Sequence, residues 1–185
     1  IIILKTLTKI RDLLLGSVSV RDEEAYNIVG PIYMQLGLAV SPDDCSLALR
    51  GLQTLALRLD QLEKSTLKIA LWLSENNIIH EVYHPAFKSC PGHDIWKRDF
   101  TGSASVFSFT FVDNVSSKQV ETFINALHIF KIGLSWGGVT SLAVVYPDLV
   151  RPNKDFGGRL VRLNIGLEAV DDLINDLELA ISNIN

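Results

Sequence analysis

"RLVRLNIG", residues 159–166, is the stretch whose reading decides the fold. As a strand it places Val161, Leu163 and Ile165 on one face and Leu160, Arg162 and Asn164 on the other. "SVFSFTFV", residues 105–112, alternates in the same way, with Phe107, Phe109 and Phe111 opposed to Val106, Ser108 and Thr110. "EVYH", residues 81–84 and ended by Pro85, and "TSLAVVYP", residues 140–147, read as further strands. One apolar face and one mixed face are the pattern of an antiparallel sheet covered on a single side.

Helical signals lie on both sides of these strands. "SPDD", residues 41–44, supplies a capping serine, a proline at the first helical position and two acids for the positive end of the dipole. It predicts one helix running to about Ser74, with Leu52, Leu55, Leu59 and Leu62 as its apolar stripe and "ENN" as its end. Ser116 or Ser117 caps a helix reaching Phe130, and a last helix from about Glu168 carries Val170, Leu173, Ile174, Leu177, Ala180 and Ile181 at helical spacing. After the acids Asp22, Glu23 and Glu24, the stretch Ala25 to Val40 is apolar enough for a mostly buried helix, bent or divided at Gly30–Pro31. "KSCPGHDIWKRDFTG", residues 88–102, reads as irregular. Helices leading into strands that mix with further helices describe an α+β domain.

The 185 residues suffice for a core without staples, and Cys45 and Cys90, far apart in the chain, suit free thiols in a reducing cytoplasm. A net charge of −4 with both signs interspersed offers no electrostatic footprint for nucleic acid or an anionic membrane. The uncharged stretch at residues 27–42 is shorter than the roughly 20 apolar residues of a membrane span. A hydrophobic content of 48% leaves an apolar surplus, which predicts self-association as a homo-oligomer. The chain opens without methionine and without the basic-then-apolar order of a signal peptide, and it reads as starting inside something larger.

Three groups of residues could carry chemistry. The Arg162 fork on a strand face suits a carboxylate, although periodicity alone favours a structural ion pair or an arginine exposed to solvent. "GLSWGGVTSL", residues 133–142, surrounds Ser135 and Trp136 with glycines that let backbone approach a ligand. Lys9, with the hydroxyls of Thr6 and Thr8 before it, has the makings of a covalent lysine beside phosphate-binding groups. His80, His84, His93 and His128 raise a metal reading, but Cys90–His93 lacks a second ligand pair at usable spacing, so no metal is expected. No P-loop, dinucleotide fingerprint or hydrolase elbow is present.

With "LLLGSVSV", "SPDDCSLALRGLQTLALRLDQ", "VYHPA", "GHDIWKRDFTGSASVFSF", "LSWGGVTSL" and "RLVRLNIGLEAVDDLINDLELAI" on the page, the chain resembles the pyridoxal-phosphate enzymes of Cys/Met metabolism, on their bacterial cystathionine β-lyase branch. The resemblance implies the C-terminal part of a fold type I enzyme. Residues 1–40 are then a remnant of the lysine loop and its connection, and residues 41–185 the substrate domain. It implies pyridoxal 5'-phosphate as cofactor, bound by Thr6, Thr8 and the catalytic Lys9. Arg162 would hold the α-carboxylate of an amino-acid thioether substrate, with Ser135 and Trp136 lining the same site.

Departures accompany the match. The glycine-rich segment after Lys9 is shortened, Leu134 stands where a Tyr commonly precedes Ser-Trp, Ser105 where Gly is frequent, and Thr140 where Glu is usual. The cofactor domain that precedes the lysine in the family does not occur in these residues. The expectation is therefore a truncated lyase, inactive by itself, or else a non-catalytic relic serving as an interaction or dimerisation module.

Overall fold

The computed structural model describes residues 2–3, 16–152 and 154–184; Thr6, Thr8 and Lys9 lie outside them. The chain separates into two compact units, residues 1–56 and 57–185.

In the first unit β1 (Ile2–Ile3) pairs antiparallel with β2 (Gly16–Ser17). Helix α1 (Glu23–Gln35) starts at Asp22, whose Oδ1 accepts the Ala25 amide at 2.9 Å, with Glu23 and Glu24 in the first turn. Pro31 does not divide this helix. None of its residues is buried, contrary to expectation, and Tyr26, Ile28 and Met34 are 61–76% exposed. Apolar composition buries a helix only where a complementary face receives it, and composition does not supply that face.

The helix expected over residues 41–74 is two helices. Ser41 caps α2 (Pro42–Leu52) by accepting the Asp44 amide at 3.0 Å, and α3 (Leu55–Ser74) begins after a turn in which the Thr54 amide donates to Gly51 O. Gly51 and Thr54 are poor helix formers placed within four residues, enough to interrupt the ladder. Of the leucines read in the sequence, only Leu62 lies on the buried stripe of α3. That stripe runs through Leu62, Thr66, Ile69 and Leu73, while Leu59 and Leu52 are exposed and Arg58 is buried.

The second unit is built on a five-stranded sheet. Its strands are β3 (Ile79–Tyr83), β4 (Val106–Phe111), β5 (Lys131–Ile132), β6 (Leu142–Val145) and β9 (Leu160–Asn164), in the order β3-β4-β9-β6-β5. All neighbours are antiparallel except β5 and β6. A two-stranded ribbon, β7 (Val150–Arg151) and β8 (Lys154–Asp155), precedes β9. Register aligns the apolar faces: Phe107 lies opposite Leu163 and Phe109 opposite Val161, with Ala143 and Val145 continuing those rows on β6. Against this face pack α3, α5 (Ser117–Ala126) and α6 (Val170–Ser182), closing a core around Phe109, Phe111 and Phe123, whose rings meet edge to face.

Two boundaries differ from the sequence reading. Residues 93–99 form α4 (His93–Asp99) inside the stretch read as irregular, entered through Gly92 at φ 84°. Helix α5 begins with a Ser116–Gln119 capping box but stops at Ala126, well short of Phe130. The buried carboxylate of Asp176 on α6 accepts the His128, Ile129 and Phe130 amides at 2.8–3.1 Å, drawing them out of the helical ladder. Among the described residues no helix is long and apolar enough to cross a membrane, and Cys45 and Cys90 are free thiols.

Candidate functional site

Arg162 sits at the middle of the sheet, opposite Ser108 on β4 and Val144 on β6, on the face turned away from the phenylalanine core. Its position follows from the period of two: with Val161 and Leu163 fully buried, the residue between them must emerge on the other side. Arg162 Nη2 donates to the Leu134 carbonyl at 2.6 Å, with the Ser135 carbonyl at 3.5 Å. The guanidinium lies 5.8 Å from the Trp136 ring and 5.7 Å from the Tyr146 ring. Arg162 is thus brought beside Ser135 and Trp136, which precede it by 26 or more residues in sequence. Aromatic faces and carbonyls orient the fork without neutralising it, so the remaining N–H groups can meet a carboxylate in two-point fashion.

Beyond the glycines, the turn that carries Ser135 and Trp136 is anchored by residues to which the sequence reading gave no role. Gly137, at φ 76°, takes the left-handed conformation that a side chain would resist. Asn164, two positions beyond Arg162 on β9, accepts the Gly137 amide at 2.7 Å. Glu168 accepts both the Ser141 amide and the Ser141 hydroxyl at 2.8 Å, and Ser141 Oγ accepts the Gly166 amide at 2.8 Å. Gly166 has backbone of residues 139–141 so close that a Cβ there would stand 2.7 Å from Ser141 N. Tyr146, beside Arg162, went unnoticed as the end of a strand. The available signals were the glycine and the amide in "RLVRLNIG", neither specific without the partner loop.

The histidines do not converge. His84 is buried between Phe87 and Phe107, its Nδ1 accepting the Ala86 amide at 3.2 Å, and His93 Nδ1 lies 2.8 Å from the Pro85 carbonyl. Among the described residues no group of three metal-ligating side chains occurs. A separate cleft of about 580 Å³ is lined by Glu63, Trp96 and Phe100, and Glu63 closes one end by accepting the Ser103 amide and hydroxyl. Neither Arg162 nor the Ser135–Trp136 turn contributes to its walls.

Comparison with known proteins gives the arrangement a setting. The chain is 41% identical over 155 residues to cystathionine beta-lyase of Haemophilus influenzae, covering 80% of this chain and 39% of that enzyme. It is 32% identical to L-alanine/L-glutamate racemase of Wolbachia pipientis, covering 94% of this chain and 44% of the racemase. Among solved structures, cystathionine gamma synthase from Xanthomonas oryzae superposes with a TM-score of 0.85 at 29% identity, over 97% of this chain and 48% of the synthase. The chain therefore spans less than half the length of these relatives. The family match extends over residues 4–182, and the chain belongs to the Cys/Met metabolism PLP-dependent enzymes.

Proposed function

We propose that this chain forms the substrate-carboxylate part of a cystathionine β-lyase, which cleaves the Cβ–S bond of cystathionine with water to give homocysteine, pyruvate and ammonia. The observation that supports it is the half-buried Arg162 fork, held by the Leu134 carbonyl between Trp136 and Tyr146. That donor set fits the amino-acid end of a cofactor-bound substrate: a fixed cation, aromatic faces and a glycine turn that admits close approach. Thr6, Thr8 and Lys9, outside the described residues, are assigned to the cofactor phosphate and its aldehyde carbon.

When bound, pyridoxal phosphate withdraws electrons from the substrate Cα. Arg162 holds the α-carboxylate, fixing which Cα bond faces the reacting side. Ser135 and Trp136 shield that carboxylate from water, strengthening the ion pair. The Lys9 amine takes the Cα proton and returns a proton to the departing sulfur, so no net proton remains on the protein.

Incubation with pyridoxal phosphate and L-cystathionine, with pyruvate read by a coupled dehydrogenase, tests the reaction. Cofactor-dependent pyruvate is expected where a cofactor domain is supplied, and little or none from these 185 residues alone. Borohydride reduction of the protein–cofactor mixture should leave a stable adduct on Lys9, and a cofactor-loaded protein with neither pyruvate nor adduct overturns the reading. A second reading, association between copies, is favoured by the exposed apolar residues of α1. Sedimentation tests it, since a monomer at high concentration contradicts it.

A further inference from the structure

Asn164 is 1% exposed, and both ends of its amide are used. Its Oδ1 accepts the Ser105 hydroxyl at 3.1 Å and the Gly137 amide at 2.7 Å, and its Nδ2 donates to the Thr140 carbonyl at 3.2 Å. One side chain thereby ties β9 to both ends of the Gly137–Thr140 segment and to the residue that leads into β4. We propose that Asn164 is a positioning residue for the carboxylate site, suspending the Ser135–Gly138 turn over Arg162 so that the guanidinium, Trp136 and Ser135 keep one fixed spacing. This rests on the carboxylate role given to Arg162 above.

The geometry supports a positioning role rather than simple core filling. Arg162 and Asn164 share a strand face, so the separation of the cation from the anchor of the turn is set by the strand repeat. The Leu134 carbonyl then fastens the near side of the turn to Arg162, while the Gly137 amide fastens its far side to Asn164. Gly137, in its left-handed conformation, has no side chain to hold it, so the hydrogen bond from its backbone amide to Asn164 Oδ1 supplies that restraint. Ser105 has its hydroxyl on the same Oδ1 and orients the amide, which gives the serine a use at a position where the resemblance leads one to expect glycine.

The test compares Asn164→Ala, Asn164→Asp and Ser105→Ala in the full, cofactor-loaded protein. The aspartate keeps an acceptor for Gly137 and Ser105, loses the donor to Thr140 and adds a buried negative charge. Amide exchange at Gly137, followed by NMR, should accelerate about tenfold or more in Asn164→Ala, remain within a few-fold in Asn164→Asp, and change in the same direction but less in Ser105→Ala. Calorimetric affinity for L-alanine, which carries the carboxylate but no Cβ–S bond, should fall about tenfold in Asn164→Ala and recover in part in Asn164→Asp. KM for L-cystathionine should rise in parallel while kcat changes less. Unchanged Gly137 exchange in Asn164→Ala, unchanged L-alanine affinity despite faster exchange, or no L-alanine binding by the unaltered protein overturns the proposal. If L-alanine affinity follows Asn164 but no pyruvate forms from cystathionine, the lyase reading fails and the positioning role stands.

Discussion

Replacing Arg162 by lysine keeps the charge and removes the fork. In the structure Nη2 is already committed to the Leu134 carbonyl at 2.6 Å, which leaves the other guanidinium N–H groups for a carboxylate. A lysine ammonium reaching the same place has to choose between the carbonyl and the carboxylate. Loss of one charged hydrogen bond costs about 1.5–3 kcal/mol. Weaker contacts with the Trp136 and Tyr146 rings add about 0.5 kcal/mol each. The sum, about 2.5–4 kcal/mol, corresponds to a rise of roughly 60- to 900-fold in KM for L-cystathionine. The assay is pyruvate release over a substrate range, with urea denaturation run in parallel. Because Arg162 is only half-buried, unfolding free energy should move by less than about 1 kcal/mol. A KM within twofold of the unaltered protein would refute the carboxylate role. A stability loss large enough to account for the kinetics would refute the reasoning that separates site from scaffold.

Asp176→Ala should destabilise the fold by about 3–5 kcal/mol, measured by urea denaturation, because three amides at residues 128–130 lose a buried acceptor. Gly166→Ala should cost about 1–3 kcal/mol by the same measurement, since its Cβ would press on the backbone at Ser141. Burial holds the His84 imidazole below its ordinary range, with Glu63 opposing. The unfolded chain therefore takes up this proton first, near pH ~6.5. The stability that neutral His84 contributes is fully present above that pH and is lost as pH falls through the window between unfolded and folded values. His84→Phe should flatten the fall in stability as pH drops below about 6.5, read by denaturation at a series of pH values.

The alternation in residues 105–112 and 159–166 determined the two central strands, their core faces and the emergence of Arg162, because a pleated strand leaves a side chain no third direction. The caps at Ser41 and Ser116 were equally local, each serine needing only an amide three residues ahead. The family resemblance carried by "LSWGG" and "LVRLNIG" named Ser135, Trp136 and Arg162 as one site before any distance was known. Tertiary structure alone decided what holds them. Asp176, midway along α6, and Glu168, just before it, look like ordinary acids until residues 128–130 and Ser141 are seen donating to them. Asn164 looks like a polar residue on a mixed strand face until Gly137, 27 residues earlier, is found on its oxygen. The exposure of α1 likewise depended on which surfaces met. A residue's period and capping chemistry are written in its near neighbours, whereas the worth of a buried acceptor lies in donors that only the folded chain brings to it.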